Sequence, residues 1–355
     1  MKNPRRFTTN TIHAGESDTS VATPIYLGAT TNAQYLRDGN PTLDAFQEKV
    51  RTLENAAAAV STASGMAAIS QTLLALLRPG SRMVTNKRVY YWATELVHRV
   101  LPEFGIDVVI IDMGDMDQLE EALKTKTDVV YFEPLVNPTC AILDTVGILQ
   151  RANEAGAITV VDNTFLSPAL FNPLAHGADI VLHSATKFLC GHGDALAGVI
   201  LTQDAEMGER LVKSRNTFGG ILSPINGYLL MRGIKTLSMR MDRHSHNAQA
   251  VAELIASSPS IANVQYPGLP SAQGHQIAKE QWRGFGAMLN FQFVDAAARD
   301  RFFQRIDMIK PWVSLGDVGT LAVGGKNFGG ELNVRMAVGL EDLEDISGEL
   351  THALS

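Results

Sequence analysis

The 355-residue sequence lacks the features that mark several protein classes. Its two cysteines, Cys140 and Cys190, have no CxxC spacing, so neither a disulfide framework nor a zinc site is expected. No run approaches the roughly 18 apolar residues that span a bilayer, and no apolar signal segment follows the N-terminal arginines. A net charge of -7 without a basic cluster disfavours nucleic acid. These absences predict a cytoplasmic globular protein with no membrane or nucleic-acid partner and no metal.

Short apolar runs alternate with helical segments through most of the chain. The strand-like runs are RMVTN, DVVIID, DVVYFEP, AITVVDN, DIVLHS and AGVIL. Helical patterns begin at Thr42 and at Ser64-Gly65, and others lie in MDQLEEALKT and VGILQRANEAG. This alternation predicts an α/β sheet with helices on both faces.

Three regions are predicted along the chain. Residues 1–33 have little periodicity and are interpreted as an extended N-terminal arm. Residues 34–230 contain the alternating segments and form the main domain. Residues 231–355 open with one long predicted helix over 232–258 and contain strands in GAMLNFQF and LNVRMAVGL, which indicates a smaller second domain.

Two charged residues follow neighbouring predicted strands. The strand in AITVVDN is expected to end at Asp162, and Lys187 follows DIVLHS, so both are expected at the edge of the sheet where α/β proteins bind ligands. A lysine can form a Schiff base with the aldehyde of pyridoxal 5'-phosphate (PLP), while an acid can keep the pyridine nitrogen protonated. For an arbitrary pair of this kind, a solvated lysine and a helix-capping aspartate are the commoner explanation.

The surroundings of this pair favour the cofactor. Ser184 and Thr186 place two hydroxyls beside the lysine. Gly65 and Met66 open a predicted helix, whose free N–H groups and dipole suit a phosphate. Phosphate, aldehyde and pyridine ring would therefore each find a partner.

Tyr90 and Arg335 each admit two interpretations from the residues alone. Tyr90 lies between a strand and a helix, where it is either a ring that covers the cofactor or a half-buried core tyrosine. Arg335 is a cation in the apolar run LNVRMAVGL, where an unpaired charge is costly. It binds either a substrate carboxylate through two hydrogen bonds or a protein acid in a structural ion pair.

An ordered set of motifs resembles the PLP enzymes of cysteine and methionine metabolism, the family of cystathionine γ-synthase, the cystathionine lyases and methionine γ-lyase. The resemblance runs from about Thr8 to the C-terminus. The motifs are TIHAG, YLRDGNPT, SGMAAI, FEPLVNP, VVDNTF, HSATKFLCGHGD, RGIKTLSMRM, YPGLP, GFGAML, VSLGD and VRMAVGLED. It implies PLP fold type I, which is aspartate aminotransferase-like, with a large mixed-sheet cofactor domain and a smaller α/β C-terminal domain. It also implies a homotetramer, a dimer of dimers, with active sites shared between subunits.

The resemblance also implies a role for individual residues. Lys187 is implied to hold the cofactor, and Asp162 to face its pyridine nitrogen. Tyr90 is implied to stack on the ring and to act with Lys187 in catalysis. The implied phosphate ligands are Ser184, Thr186, the backbone at Gly65 and Met66, and, from the adjacent subunit, Tyr35 and Arg37. The implied residues near the substrate carboxylate are Asn137, Ser314 and Arg335.

Departures from the family pattern lie around the substrate. The arm before YLRDGNPT is shorter, Tyr91-Trp92 replace two glycines, and Ala93 replaces a threonine. GTLAVGGKNFGG replaces a longer loop that contains a His-Pro. Val313 resembles methionine γ-lyase, whereas several cystathionine enzymes have a glutamate there, but Trp92 stands where those γ-lyases have a cysteine.

These departures lead to a prediction of activity with alternatives. We predict a PLP-dependent carbon–sulfur or carbon–oxygen lyase that acts on a γ-substituted amino acid, such as methionine or an O-linked homoserine derivative such as canavanine. The alternatives are a cystathionine β- or γ-lyase, a γ-replacement enzyme such as cystathionine γ-synthase or O-acetylhomoserine sulfhydrylase, and a PLP-binding protein without catalysis. A nucleotide-binding oxidoreductase is disfavoured, because GFGAML lacks the GxGxxG spacing.

Overall fold

The computed structural model describes residues 5–18, 20–30 and 35–355. Residues 1–4, 19 and 31–33 of the predicted arm, together with residue 34, lie outside the described residues. The strands are β1 (Ala58–Thr62), β2 (Arg82–Asn86), β3 (Asp107–Ile111), β4 (Val129–Phe132), β5 (Ile158–Asp162), β6 (Ile180–His183), β7 (Gly198–Thr202), β8 (Ile261–Gln265), β9 (Met288–Phe293), β10 (Leu321–Gly325) and β11 (Gly330–Ala337).

The helices surround these strands. They are α1 (Phe7–His13), α2 (Pro41–Glu54), α3 (Gly65–Leu76), α4 (Tyr91–Glu95), α5 (Leu101–Glu103), α6 (Met116–Leu123), α7 (Thr145–Glu154), α8 (Ser167–Leu170), α9 (Ala205–Phe218), α10 (Pro224–Ile234), α11 (Leu237–Ser257), α12 (His275–Gln281), α13 (Ala296–Arg305) and α14 (Leu343–Leu354). Within the described ranges, no helix is long and apolar enough to cross a membrane.

The described residues form one large sheet and one small sheet. The large sheet has the strand order β1-β7-β6-β5-β4-β2-β3, and β7 runs antiparallel to both of its neighbours. The other pairings in that sheet are parallel, and apolar clusters cover both of its faces. The small sheet, β10-β11-β9-β8, is antiparallel. The predicted large mixed sheet with a smaller C-terminal sheet is confirmed, and the six predicted strand runs overlap β2 to β7.

Local sequence signals explain where the helices of the main sheet begin. Asn40 caps α2 by accepting a hydrogen bond from Thr42 N, and Pro41 occupies the first helical position. Ser64 caps α3 by accepting from Ala67 N. These caps agree with the predicted starts, and the buried stripe of α2 contains the expected Phe46, Val50 and Leu53.

Two expectations about helices were wrong. The arm is not extended throughout, because Phe7–His13 forms α1. The single helix expected over 232–258 is divided between α10 and α11, with Lys235 and Thr236 between them. A close approach lies next to the break: a Cβ at Gly233 would lie 2.0 Å from the Cys190 carbonyl oxygen, so this position requires glycine. The helical periodicity of the sequence gives no sign of this contact.

A tertiary contact with Lys49 holds the end of α1. Lys49 of α2 is fully buried, and its Nζ donates to the carbonyl oxygens of Thr11 at 2.8 Å and Ile12 at 3.0 Å, at the end of α1. Glu16 pairs with the same nitrogen at 3.3 Å. Burial lowers the pKa of Lys49 to about 8. A buried ammonium from α2 therefore holds the last turn of α1.

We expect Lys49→Met to loosen residues 5–18 and to lower the free energy of unfolding by about 2 kcal/mol, because two carbonyl acceptors lose a charged donor. Urea denaturation and limited proteolysis of this segment measure the two effects. Lys235→Met is the matched control: Lys235 also pairs with Glu16, at 3.0 Å, but is a third exposed, so its loss should cost less than about 1 kcal/mol. Equal effects of both substitutions would contradict the anchoring role of Lys49.

Candidate active site

The ends of β5 and β6 bring the first two candidate groups together. These strands are parallel neighbours, with Asp162 beside Leu182. Thr164 joins the two ends: its hydroxyl donates to Asp162 Oδ1 at 2.5 Å and accepts from Ser184 N at 2.8 Å. Asp162 and the segment that leads to Lys187 are thus held in one arrangement by a third residue.

Lys187 lies on the cleft wall just after β6, where its Nζ donates to Ser314 Oγ at 3.2 Å. Burial, and then the positive charge of Arg335, lower the pKa of Lys187. A lowered pKa increases the fraction of neutral amine, which is the form that attacks a carbonyl carbon. The environment of Lys187 is therefore that of a nucleophilic amine and not that of a solvated surface lysine.

Asp162 is almost completely buried beneath the same wall. Burial raises the pKa of Asp162, although the two hydrogen bonds that Thr164 donates act in the opposite direction. Asp162 Oδ1 also accepts from Thr164 N at 3.1 Å, so both bonds from Thr164 end on one carboxylate oxygen. A protonated ring nitrogen at this carboxylate would supply the cation that a buried ionised acid needs.

The start of α3 faces Ser184 at very short range. A Cβ at Gly65 would lie 2.6 Å from Ser184 Cβ, so the close approach requires glycine at this position. The N–H groups of Gly65 and Met66 belong to the first turn and have no helical acceptor. In the part of the chain that the structure describes, the Ser184 hydroxyl has no hydrogen-bond partner. Three donors therefore converge where a phosphate could bind.

Thr186 contributes differently from Ser184. Its hydroxyl donates to the Ala197 carbonyl at 3.1 Å and accepts from Ala197 N at 2.9 Å. This pair of bonds ties the lysine segment to the chain that enters β7. Thr186 lines the cleft, but its hydroxyl proton is engaged by the protein.

Arg335 of β11 is 5 % exposed and reaches the cleft from the small sheet. Its guanidinium donates to Asn137 Oδ1 at 2.8 Å and to the Ser314 carbonyl at 3.0 Å, while its buried Nε has no hydrogen-bond partner in the described part of the chain. Among the described residues, no carboxylate lies within 4.0 Å of it, so the structural ion pair is excluded. The remaining interpretation, a cation for a ligand carboxylate, agrees with this geometry.

Tyr90 is half-exposed on the opposite wall, between β2 and α4. Its N–H donates to Glu133 Oε1 at 2.7 Å. Burial raises the pKa of Tyr90, so its hydroxyl keeps its proton near neutral pH. The neighbouring rings of Tyr91 and Trp92 are edge to face, 5.0 Å between centroids, and are exposed.

All these groups line one cleft of about 1010 Å³. The site residues predicted from sequence that line it are Gly65, Met66, Tyr90, Asn137, Asp162, Ser184, Thr186, Lys187, Ser314 and Arg335. Tyr35 and Arg37 do not line it. They lie at the surface, where the Arg37 guanidinium stacks over the Tyr35 ring at 5.0 Å and the Arg37 carbonyl accepts from Arg215.

Sequence reasoning missed two residues that hold the site together. Thr164 joins the strand ends, and Glu133 accepts from the backbone on both sides of the cleft. Both belong to motifs that were recognised, VVDNTF and FEPLVNP. An uncharged threonine and an acid before a proline give no sign of such a role when the partners are distant in the chain.

The donor set fits PLP. Lys187 offers a desolvated amine, Asp162 a buried carboxylate for the ring nitrogen, and the start of α3 with Ser184 a set of phosphate donors. The unpartnered Nε of Arg335 would meet the carboxylate of an amino-acid substrate.

Comparisons with known proteins agree with this chemistry. Residues 8–355 match the family model for the Cys/Met metabolism PLP-dependent enzymes. Cystathionine γ-synthase of Mycobacterium bovis is 36% identical over 98% of this chain and 96% of its own, and L-methionine γ-lyase of Pseudomonas putida is 39% identical over 90% and 84%. The crystal structure of cystathionine γ-synthase from Xanthomonas oryzae pv. oryzae, in complex with aminoacrylate and cysteine, superposes with a TM-score of 0.96 at 33% identity over 99% of this chain and 98% of that chain.

The family match spans nearly the whole sequence, and the fold and the cleft agree with it. The chain belongs to the PLP-dependent enzymes of cysteine and methionine metabolism.

Proposed function

We propose that this enzyme is a γ-lyase that releases the γ-substituent of an L-amino acid, with methionine or a homoserine derivative as substrate. The observation that carries the proposal is the distal wall of the cleft. Val313 is 74 % exposed there, and the Tyr91-Trp92 pair adds apolar surface. In the described cleft lining, the carboxylates are Glu133 and Asp162, both buried at its base. A distal ammonium, as in cystathionine, would meet no further carboxylate in the described lining.

The basic residues of the cleft mouth narrow the substrate further. Arg88 and Lys326 line the cleft, and neither forms an ion pair within the described ranges. Canavanine carries a cationic distal group, which these two charges would repel. A neutral thioether or an ester of homoserine suits the wall better than canavanine does.

Substrate binding begins at Arg335. Asn137 and the Ser314 carbonyl fix its guanidinium from one side, so the group is held in place before the substrate arrives. The α-carboxylate then accepts from Nε and from one of the two terminal N–H groups that remain. The Ser314 hydroxyl, which contacts Lys187 Nζ, orients the amine toward the same position.

Proton transfers fall to Lys187 and Tyr90. PLP, when bound, supplies an electron sink for the negative charge that develops at the substrate Cα. Lys187 Nζ takes the proton from Cα and returns protons to the carbon skeleton, while Asp162 keeps the ring nitrogen protonated. Tyr90, whose pKa is raised, donates to the leaving sulfur or oxygen. With water consumed, the products are 2-oxobutanoate, ammonia and the released thiol or acid.

A γ-replacement enzyme is the second candidate. It is favoured by the cystathionine γ-synthase relative, which aligns over 98% of this chain, against 90% for the methionine γ-lyase. Both activities begin with the same departure of the γ-substituent. They differ in whether water or a thiol completes the reaction.

A substrate panel tests the γ-lyase proposal. With methionine, cystathionine, homocysteine, O-acetylhomoserine and canavanine, we expect 2-oxobutanoate as the main product, and kcat/KM for methionine or O-acetylhomoserine about tenfold above that for cystathionine. Cystathionine formed from O-acetylhomoserine and cysteine, in place of 2-oxobutanoate, would favour replacement instead. Pyruvate from cystathionine as the dominant product would overturn the γ preference. Lys187→Ala is the control and should form no product.

The charge of Arg335 should be visible in the pH dependence of cofactor capture. Because Arg335 helps to lower the pKa of Lys187, Arg335→Gln should raise that pKa and leave less neutral amine at a given pH. PLP-free protein acquires the visible absorbance of lysine-bound cofactor at a rate that increases with pH. In the variant, this increase should occur at a higher pH than in native protein. Arg88→Gln, a cation at the cleft mouth, is the control. Superimposable profiles for native protein and Arg335→Gln would contradict the proposed charge effect.

We propose further that the enzyme is a homotetramer, a dimer of dimers, in which Tyr35 and Arg37 complete the phosphate site of the adjacent subunit. Their surface position, away from the cleft of their own chain, supports this assignment. Residues 20–30 precede them and expose Val21, Ile25 and Leu27, an apolar surface that a second copy would cover.

Mixing two inactive variants tests the shared site. Lys187→Ala removes the amine, and Arg37→Ala removes the cation offered to the neighbour. If the site needs both chains, hybrids refolded from equal amounts should recover about a quarter of native activity, because half of the dimers contain one intact site of two. No recovery, or full activity of Arg37→Ala alone, would reject the sharing. Each variant mixed with itself is the control.

A further inference from the structure

Glu133 lies just after β4, at the base of the cleft, and is 4 % exposed. Its two carboxylate oxygens accept from opposite sides. Oε1 accepts from Tyr90 N at 2.7 Å, and Oε2 accepts from Asn137 N at 2.7 Å. One side chain therefore connects two backbone segments that are 47 residues apart in the sequence.

Each of the two segments carries a group that the reaction uses. Tyr90 N belongs to the segment that places the tyrosine over the cofactor position. Asn137 N belongs to the turn after β4, and the Asn137 side chain holds the Arg335 guanidinium at 2.8 Å. The same turn is bound from the small sheet, because Asn290 Nδ2 donates to the Pro138 carbonyl at 3.1 Å. Glu133 thus connects the Tyr90 segment to the turn after β4, and that turn is bonded to Asn290 and Arg335 of the small sheet.

A carboxylate is the side chain that this position requires. Each N–H here bonds a different oxygen of Glu133, and glutamine has one oxygen, so its amide would point a donor at one of the N–H groups. Burial, and then the charge of Asp162, raise the pKa of Glu133 well above its ordinary value, whereas the two N–H bonds favour the ionised form. An acid that is kept here at a desolvation cost has a use that an apolar residue could not supply.

We propose that Glu133 is a positioning residue that keeps Tyr90 and Asn137 in register across the cleft, so that the ring-facing tyrosine and the Asn137-Arg335 clamp act on one bound substrate. It does not contact substrate in this role, since both of its oxygens face the backbone. The proposal depends on the established family and its cofactor, and goes beyond the proposed γ-lyase specificity.

Backbone amide exchange in Glu133→Gln tests the proposal without any substrate. In protein with and without PLP, we expect the segments 87–92 and 134–140 to exchange at least about tenfold faster than in native protein, because one N–H loses its acceptor. Glu54→Gln is the matched control. Glu54 is also a buried acid and is bonded to His183 at 2.5 Å, but contacts neither segment. It should leave exchange at both segments unchanged.

Kinetics separate positioning from a purely structural role. With the best substrate of the panel, kcat/KM of Glu133→Gln should fall about tenfold to a hundredfold, with a higher KM from the misaligned Arg335 and a lower kcat from the misaligned Tyr90. Because Glu133 acts partly through the Asn137 side chain, the same substitution should cost less in an Asn137→Ala background. A structural role alone predicts additive losses.

Several outcomes would overturn the proposal. They are unchanged exchange at both segments, kcat/KM within threefold of native protein, and additive losses in the double variant. If Glu133→Gln does not fold, Glu133→Asp replaces it. Aspartate keeps the charge but is one methylene too short to reach both N–H groups. A folded Glu133→Asp variant with native exchange and native kinetics would therefore also contradict the proposal. Failure of both variants to fold would assign Glu133 to fold stability and reject the positioning role. Since exchange needs no substrate, these results remain distinct from any failure of the γ-lyase proposal.

Discussion

The hydroxyl of Thr164 is the constraint on which the cofactor side of the cleft depends. It donates to Asp162 and accepts from Ser184 N, so it joins the ends of β5 and β6 through one oxygen atom. Because the strands are parallel neighbours, their carboxyl ends meet at the same edge, and the hydroxyl fixes their spacing there. Asp162 and the segment that leads to Lys187 then cannot move independently. The close approach of Gly65 to Ser184 adds the start of α3 to the same rigid unit.

The substrate side of the cleft is assembled from the other sheet. Arg335 comes from β11 of the small sheet, yet its guanidinium is bonded to Asn137, which follows β4 of the large sheet. Burying that cation lowers its pKa to about 10, which shows what desolvation costs at this position. The bonds to Asn137 and Ser314 offset part of that cost and leave Nε for a carboxylate. The division at residue 231 remains a prediction, but the cleft plainly requires groups from both sheets.

The residues proposed to bind PLP and the residues proposed to select the substrate have different environments. Lys187, Asp162 and the start of α3, the groups proposed to hold PLP, lie in a buried and hydrogen-bonded environment. Val313, Tyr91 and Trp92 are exposed and pack against little of their own chain, so they can change without disturbing the fold. The chain is 36% identical to a cystathionine γ-synthase and 39% identical to a methionine γ-lyase, two relatives whose named activities differ.

The α/β alternation, the starts of α2 and α3, and the position of Asp162 and Lys187 at one sheet edge follow from the sequence alone, because strand ends, caps and apolar periodicity are local. The rest of the cleft does not: Tyr35 and Arg37 were expected at the cofactor but do not line this cleft, whereas Thr164 and Glu133 line it and were not expected. Only the tertiary structure decided the rest. Lys49 holds α1 from 37 and 38 residues away, the approach of Gly233 to Cys190 accompanies the break between α10 and α11, and Arg335 meets Asn137 across 198 residues. Glu133 belongs with them, since a carboxylate that bonds two distant backbone N–H groups is recognisable only when the chain has brought them together.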